Sequence, residues 1–116
     1  MGNRIYLAET NDLSEGTMKN FKLNGQDILV ALINGNYYAT DSYCPHMGGA
    51  LFHGKLEGTI VTCPRHGSQF DLRNGHVVRW LKGTGLITSI GKVLKPPRKL
   101  TTYPIKLENG KIFIEQ

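Results

Sequence analysis

Cys44-Pro45-His46 and Cys63-Pro64-Arg65-His66 bring this chain's most reactive side chains together, with sixteen residues between His46 and Cys63. Each segment offers one thiol and one imidazole, so two loops could present a two-Cys, two-His set to iron or zinc. Cys44 and Cys63 are the only cysteines. A disulfide between them would be improbable in a reducing compartment. It would also give no reason for a histidine two or three residues after each cysteine. Residue types alone say metal and leave the metal open.

Iron–sulfur chemistry gives such a mixed set a purpose. A [2Fe–2S] core with both irons ferric carries two positive charges. Four thiolates would leave it with two negative charges, whereas two thiolates and two neutral imidazoles leave it neutral. A neutral site takes up an electron more readily, so mixed ligation raises the reduction potential. Zinc also takes two cysteines and two histidines, but zinc modules more often pair Cys with Cys and His with His. Gly48-Gly49 follows the first pair and Gly67 the second, which favours ligands held at loop tips.

The elements that must position these loops are strands. Asn-Gly occurs at Asn24-Gly25, Asn34-Gly35, Asn74-Gly75 and Asn109-Gly110. Both residues tolerate positive φ, so each pair suits a type I′ hairpin turn. Thr17 to Leu23 leads into the first, the apolar run Ile28 to Ile33 links it to the second, and Asn36 to Thr40 follows. Ile105 and Leu107, then Ile112 and Ile114, alternate with polar neighbours across the last turn. An all-β, antiparallel domain is expected. Residues 84–95 are the exception: Leu86, Ile87, Ile90, Val93 and Leu94 draw an apolar helical face. Gly85 and Gly91 weaken that helix, and Pro96-Pro97 would end it.

On these residues the sequence resembles the Rieske [2Fe–2S] family, whose signature is Cys-x-His, sixteen residues, Cys-x-x-His. The wording is close as well: Cys44-Pro45-His46-Met47-Gly48-Gly49, then Cys63-Pro64-Arg65-His66-Gly67-Ser68-Gln69-Phe70-Asp71-Leu72. The resemblance covers roughly residues 4–116, including a strand Leu56 to Thr62, Pro96-Pro97, Leu100 and Tyr103. It implies an all-β fold, a sandwich or barrel base with a small cluster-binding subdomain at about 42–73. One domain would span 1–116.

The resemblance further implies one [2Fe–2S] cluster per chain, with Cys44 and Cys63 on an inner iron and His46 and His66 on an outer, more exposed one. Ser68 matches the family's serine whose hydroxyl can bond a bridging sulfide. High-potential members place a tyrosine two residues later, where this chain has Phe70. They also carry two cysteines that bridge the loops, where this chain has Met47 and Arg65. Both departures point to the lower part of the Rieske range of roughly −150 to +300 mV, near or below zero. A pH-dependent potential at alkaline pH is expected as the ligating imidazoles lose protons. The implied function is that of a soluble Rieske-type ferredoxin. It would carry one electron at a time between a reductase and an acceptor such as an oxygenase, without being a catalyst itself. A tightly bound small subunit of a reductase or oxygenase is an alternative, and a structural zinc-binding interaction module is another.

Composition bounds the rest. At 116 residues the chain suits one domain, and it has no apolar run long enough for a membrane span. Met1-Gly2-Asn3-Arg4 leads into a strand-like stretch without a signal peptide's apolar core, and Tyr6 argues against myristoylation. A cytoplasmic protein is expected. The formal charge is +5, with six basic and seven acidic side chains in residues 1–78 against eight and two in 79–116. Nucleic acid, an anionic surface, an acidic protein or a merely solvated face could each match that asymmetry. No nucleic-acid partner is expected. Lys95, Arg98 and Lys99 flank Pro96-Pro97, which in the family covers one side of the cluster, so they are expected to steer an acidic redox partner. Segment 76–95 is longer than a minimal connection and could form a cluster-flanking helix or a docking surface. His53 and His76 read as surface or satisfied histidines, and Trp80 as a packing anchor. Asp41, Asp71 and Glu57 show no pairing suited to acid–base work, and no nucleophile sits beside a base.

Overall fold

Where this chain can turn decides how its strands pair in the computed structural model, which describes residues 4–45, 48–65, 67–79 and 99–115. The helix expected at 84–95, Trp80, Lys95, Pro96-Pro97 and Arg98 lie outside the described residues, as do His46 and His66. Strands β1 (Arg4–Glu9), β2 (Thr17–Leu23), β3 (Gln26–Ile33) and β4 (Asn36–Asp41) precede the first cysteine. A middle group follows, β5 (Lys55–Glu57), β6 (Ile60–Thr62), β7 (Gln69–Asp71) and β8 (Val77–Arg79), and β9 (Thr102–Tyr103), β10 (Ile105–Glu108) and β11 (Lys111–Glu115) close the chain. They make three antiparallel sheets, ordered β1-β11-β10, β2-β3-β4-β9 and β5-β6-β7-β8. The all-β architecture stands. Only two short 3-10 turns, Thr10–Asp12 and Leu51–His53, interrupt it among the described residues.

Three of the four Asn-Gly pairs form the expected turn. Asn24-Gly25 (φ 52° and 83°), Asn34-Gly35 (52° and 79°) and Asn109-Gly110 (53° and 73°) are left-handed at both positions, as type I′ requires. Glu15 secures the second, its carboxylate accepting from the Asn34 and Gly35 N–H groups at 2.5 and 2.9 Å. Asn74-Gly75 differs, because Gly75 alone has positive φ there. Side chains have taken over that turn: Asp71 Oδ1 accepts from the Arg73 N–H and Asn74 Oδ1 from the His76 N–H, each at 2.9 Å. The result is a wider loop, Asp71 to His76. The expected strand Leu56 to Thr62 is in fact a hairpin, with Glu57 opposite Ile60 and Gly58 at φ 59° between β5 and β6. Glycine at the first central position suits a type II′ turn.

β3 explains how two cores fit in so short a chain. Ile28, Leu29, Val30 and Ala31 are all fully buried. Successive side chains of a strand point to opposite faces, so Leu29, Ala31 and Ile33 join Leu51, Val61, Phe70, Leu72, Leu100 and both cysteines. Ile28 and Val30 join Leu7, Leu23, Ala39, Ile112 and Ile114 on the other side. Each fully buried aliphatic side chain contributes about 1.5–3 kcal/mol. The uninterrupted apolar run is what a strand covered on both faces needs.

Candidate metal centre

Beyond β4 the chain makes one more bridge, Tyr43 opposite Ala50, and then closes a tight loop on Cys44. The Cys44 N–H donates to the Gly49 carbonyl at 2.8 Å, and the Gly48 N–H donates to the Cys44 carbonyl at 2.8 Å. The loop at the tip of the β6–β7 hairpin repeats this pattern. There the Cys63 N–H donates to the Ser68 carbonyl at 2.8 Å and the Gly67 N–H to the Cys63 carbonyl at 3.1 Å. In both loops proline follows the cysteine, presetting φ for the turn. In both, a glycine four positions after the cysteine takes the left-handed conformation, Gly48 at 74° and Gly67 at 76°. The two segments noticed in the sequence are therefore one backbone motif used twice.

The loops face each other closely. A methyl group at Gly49 would lie 2.7 Å from Cys63 Sγ and 2.9 Å from the Arg65 Cγ and Cδ. Gly49 is therefore where the first loop approaches the sulfur of the second. Cys44 and Cys63 are 3 % and 2 % exposed, they root both loops in the first core, and no disulfide joins them. Two buried thiols on apposed loops suit a thiolate-ligated metal group, which the surrounding core shields from water. Ser68 and Phe70 are fully buried beside them. The structure thus brings Cys44, Cys63 and Ser68 to one place, while the histidine positions lie outside the described residues.

Neighbouring side chains brace the arrangement. Gln69 Nε2 donates to Thr62 Oγ1 at 3.1 Å across the β6–β7 hairpin, and Arg79 Nε donates to the Gly67 carbonyl at 3.1 Å. Under the first loop the Ser42 hydroxyl bonds Asn20, and Tyr43 donates its hydroxyl to Asp27 at 2.7 Å. That bond is the main reason the Asp27 carboxyl is held below the usual carboxylate range and the Tyr43 phenol above its own. The Arg73 guanidinium likewise holds Asp71 low, bonding it at 2.8 Å. Asp41 accepts from the Tyr103 hydroxyl, and Tyr103, pushed up by burial and then by Asp41, reaches about 12. Asp27, Asp41 and Asp71 thus each hold a neighbouring side chain in place. His53 is exposed and lies against Phe52, and His76 is exposed.

Gly49 and Arg79 had no individual signal in the sequence. The Gly48-Gly49 doublet was visible, but which glycine meets the other loop depends on a contact across the fold. Arg79 depends on an irregular strand pairing.

Comparison with known proteins agrees with this geometry. The family model described as Rieske [2Fe-2S] domain matches residues 3–90. A Ralstonia ferredoxin component of naphthalene 1,2-dioxygenase/salicylate 5-hydroxylase systems is 33% identical over 113 residues, covering 97% of this chain and 95% of that protein. An Escherichia coli O139:H28 ferredoxin subunit of 3-phenylpropionate/cinnamic acid dioxygenase is 31% identical over 116 residues, covering 97% and 93%. The solved Sphingomonas yanoikuyae B1 ferredoxin superposes with a TM-score of 0.78 at 25% identity, covering 98% of this chain and 99% of that one.

Proposed function

The chain belongs to the Rieske [2Fe–2S] domain family and is a one-electron carrier with a [2Fe–2S] cluster, and from that premise we propose that Cys44, His46, Cys63 and His66 are its four ligands. The observation that carries the assignment is the repeated loop. Two buried cysteines occupy equivalent positions in two hydrogen-bonded turns that touch at Gly49 and the Cys63 sulfur. Cys44 and Cys63 would hold the inner iron and His46 and His66 the outer one, within a subdomain of about 42–73 on a single domain spanning 1–116. Bound there, the cluster supplies reversible one-electron chemistry. Ser68 would offer its buried hydroxyl as a hydrogen-bond donor to the cluster. Leu51, Val61, Phe70, Leu72 and Leu100 keep water from the cysteine side.

The similar proteins named above are ferredoxin components or subunits of dioxygenase systems. By that likeness this carrier takes electrons from a reductase and gives them to an oxygenase in the cytoplasm. No helix among the described residues is long and apolar enough to cross a membrane. We propose that the carrier docks through a basic segment. Residues 72–107 contain eight lysines and arginines and no carboxylate side chain, and Lys99 is exposed. In this reading Lys95, Arg98 and Lys99 steer an acidic redox partner.

The test is the visible spectrum of fresh protein with iron, sulfide and zinc analysis, then EPR after dithionite. A red-brown protein with iron and sulfide in equal amounts and a histidine-ligated reduced signal is expected. One zinc and no sulfide would overturn the assignment and leave a structural module.

A further inference from the structure

Arg79 occupies an unusual position for a surface arginine. It ends β8, and its Nε donates to the carbonyl of Gly67 at 3.1 Å, within the second cysteine loop. The strand is irregular at this point: Phe70 pairs with Val77 but Gln69 with Arg79, so Val78 is the extra residue. A bulge of this kind bends a strand and re-aims the side chain beyond it. Among the described residues Arg79 also has no counter-charge. Asp71 neutralises Arg73, Glu57 pairs with Lys55 and Asp27 with Lys22. All nine carboxylate side chains lie among the described residues, and none forms an ion pair with Arg79.

We propose that Arg79 is a positioning residue that fixes the second ligand loop through the Gly67 carbonyl and, by its uncompensated charge there, raises the reduction potential of the centre. The inference rests on the ligand assignment above. With two thiolates and two neutral imidazoles, uptake of one electron from a donor takes the site from neutral to one negative charge, with no proton required. A cation at the loop backbone favours the charged, reduced side of that balance. Arginine suits the task because it stays protonated throughout the working pH range and its planar fork fixes the direction of the bond.

The test compares midpoint potentials of cluster-loaded wild type, R79Q, R79K and K106Q by dithionite titration followed in the visible. R79Q is expected to weaken electron uptake three- to tenfold, a fall of about 28–59 mV at 59 mV per tenfold. R79K, which keeps the charge, should recover at least half of that fall, and K106Q, which removes a cation from β10, should not move the potential. Should R79Q not retain its cluster, V78E serves. It leaves Arg79 in place, adds a carboxylate at an exposed neighbour, and should also lower the potential. An unmoved potential in a loaded R79Q, or in V78E where that replaces it, overturns the proposal. So does an R79K that falls as far as R79Q. A wild type without iron and sulfide overturns the ligand assignment itself, a result distinct from either.

Discussion

Ser68 and Phe70 stand two residues apart in the segment that leaves the second cysteine loop, and both are fully buried. Both lie close in sequence to the buried Cys63, so what each can donate bears on the electron affinity of the site. Ser68 carries a hydroxyl; Phe70 carries none. Removing the hydroxyl in Ser68→Ala takes away one hydrogen bond worth roughly 0.5–1.5 kcal/mol. At 59 mV per tenfold for one electron, the midpoint should fall by roughly 20–65 mV. Phe70→Tyr should move it upward. If the new hydroxyl finds no acceptor in that core, the variant should also lose about 1–3 kcal/mol of stability. Redox titration of both variants checks the pair, and wild type is expected near or below zero. A wild-type midpoint well above zero would show that these two positions do not set the range. The two cysteine loops and Ser68 were legible because their spacing is local. Gly49 was not, since its importance comes from the Cys63 sulfur across the gap.

At the scale of elements, turns were readable where backbone conformation alone decides them and unreadable where side chains compete. Three Asn-Gly pairs turned as expected, whereas Asp71 captured the fourth. Its carboxylate accepts from the Arg73 N–H, Nε and Nη2, and a methyl at Gly75 would meet the Leu100 carbonyl at 1.9 Å. Gly58 was missed because its turn lacks the Asn-Gly signature, so two short strands read as one. The Asp71 loop has a measurable pH signature. Arg73 lowers the Asp71 carboxyl in the folded chain, so the unfolded chain takes up the proton first as acid is added. The stabilisation is therefore present above the unfolded value of about 3.9 and is lost as pH falls through the lower folded value. Asp71→Asn should cost about 1–2 kcal/mol at neutral pH, with its gap from wild type closing in acid. Urea unfolding followed by circular dichroism at pH 7 and near pH 3 reads this directly. A gap that stays constant would remove Asp71 from the acid response.

The whole molecule is organised around β3, a wall between two cores with different duties. Leu29 faces the core that contains both cysteines, and Ile28 faces the core that closes the base. Truncating either to alanine should destabilise by about 2–5 kcal/mol. Only Leu29→Ala should also shorten cluster lifetime, read as bleaching of the visible bands under chelator. Equal bleaching in both variants would mean that the cores are not independent. Charge is divided as unevenly as the cores. Seven of the nine carboxylates precede residue 72, and eight lysines and arginines lie between 72 and 107. Such polarity orients a carrier before contact, an effect seen in association rate and weakened by salt. Reversing Lys95, Arg98 and Lys99 together to glutamate should slow second-order electron transfer to an oxygenase partner by tenfold or more at low salt. The difference should fade toward 0.5 M salt, where screening reaches only about 4–5 Å. Stopped-flow transfer over a salt series checks this. If the triple variant matches wild type at low salt, the basic half is a solvated face and the partner docks elsewhere.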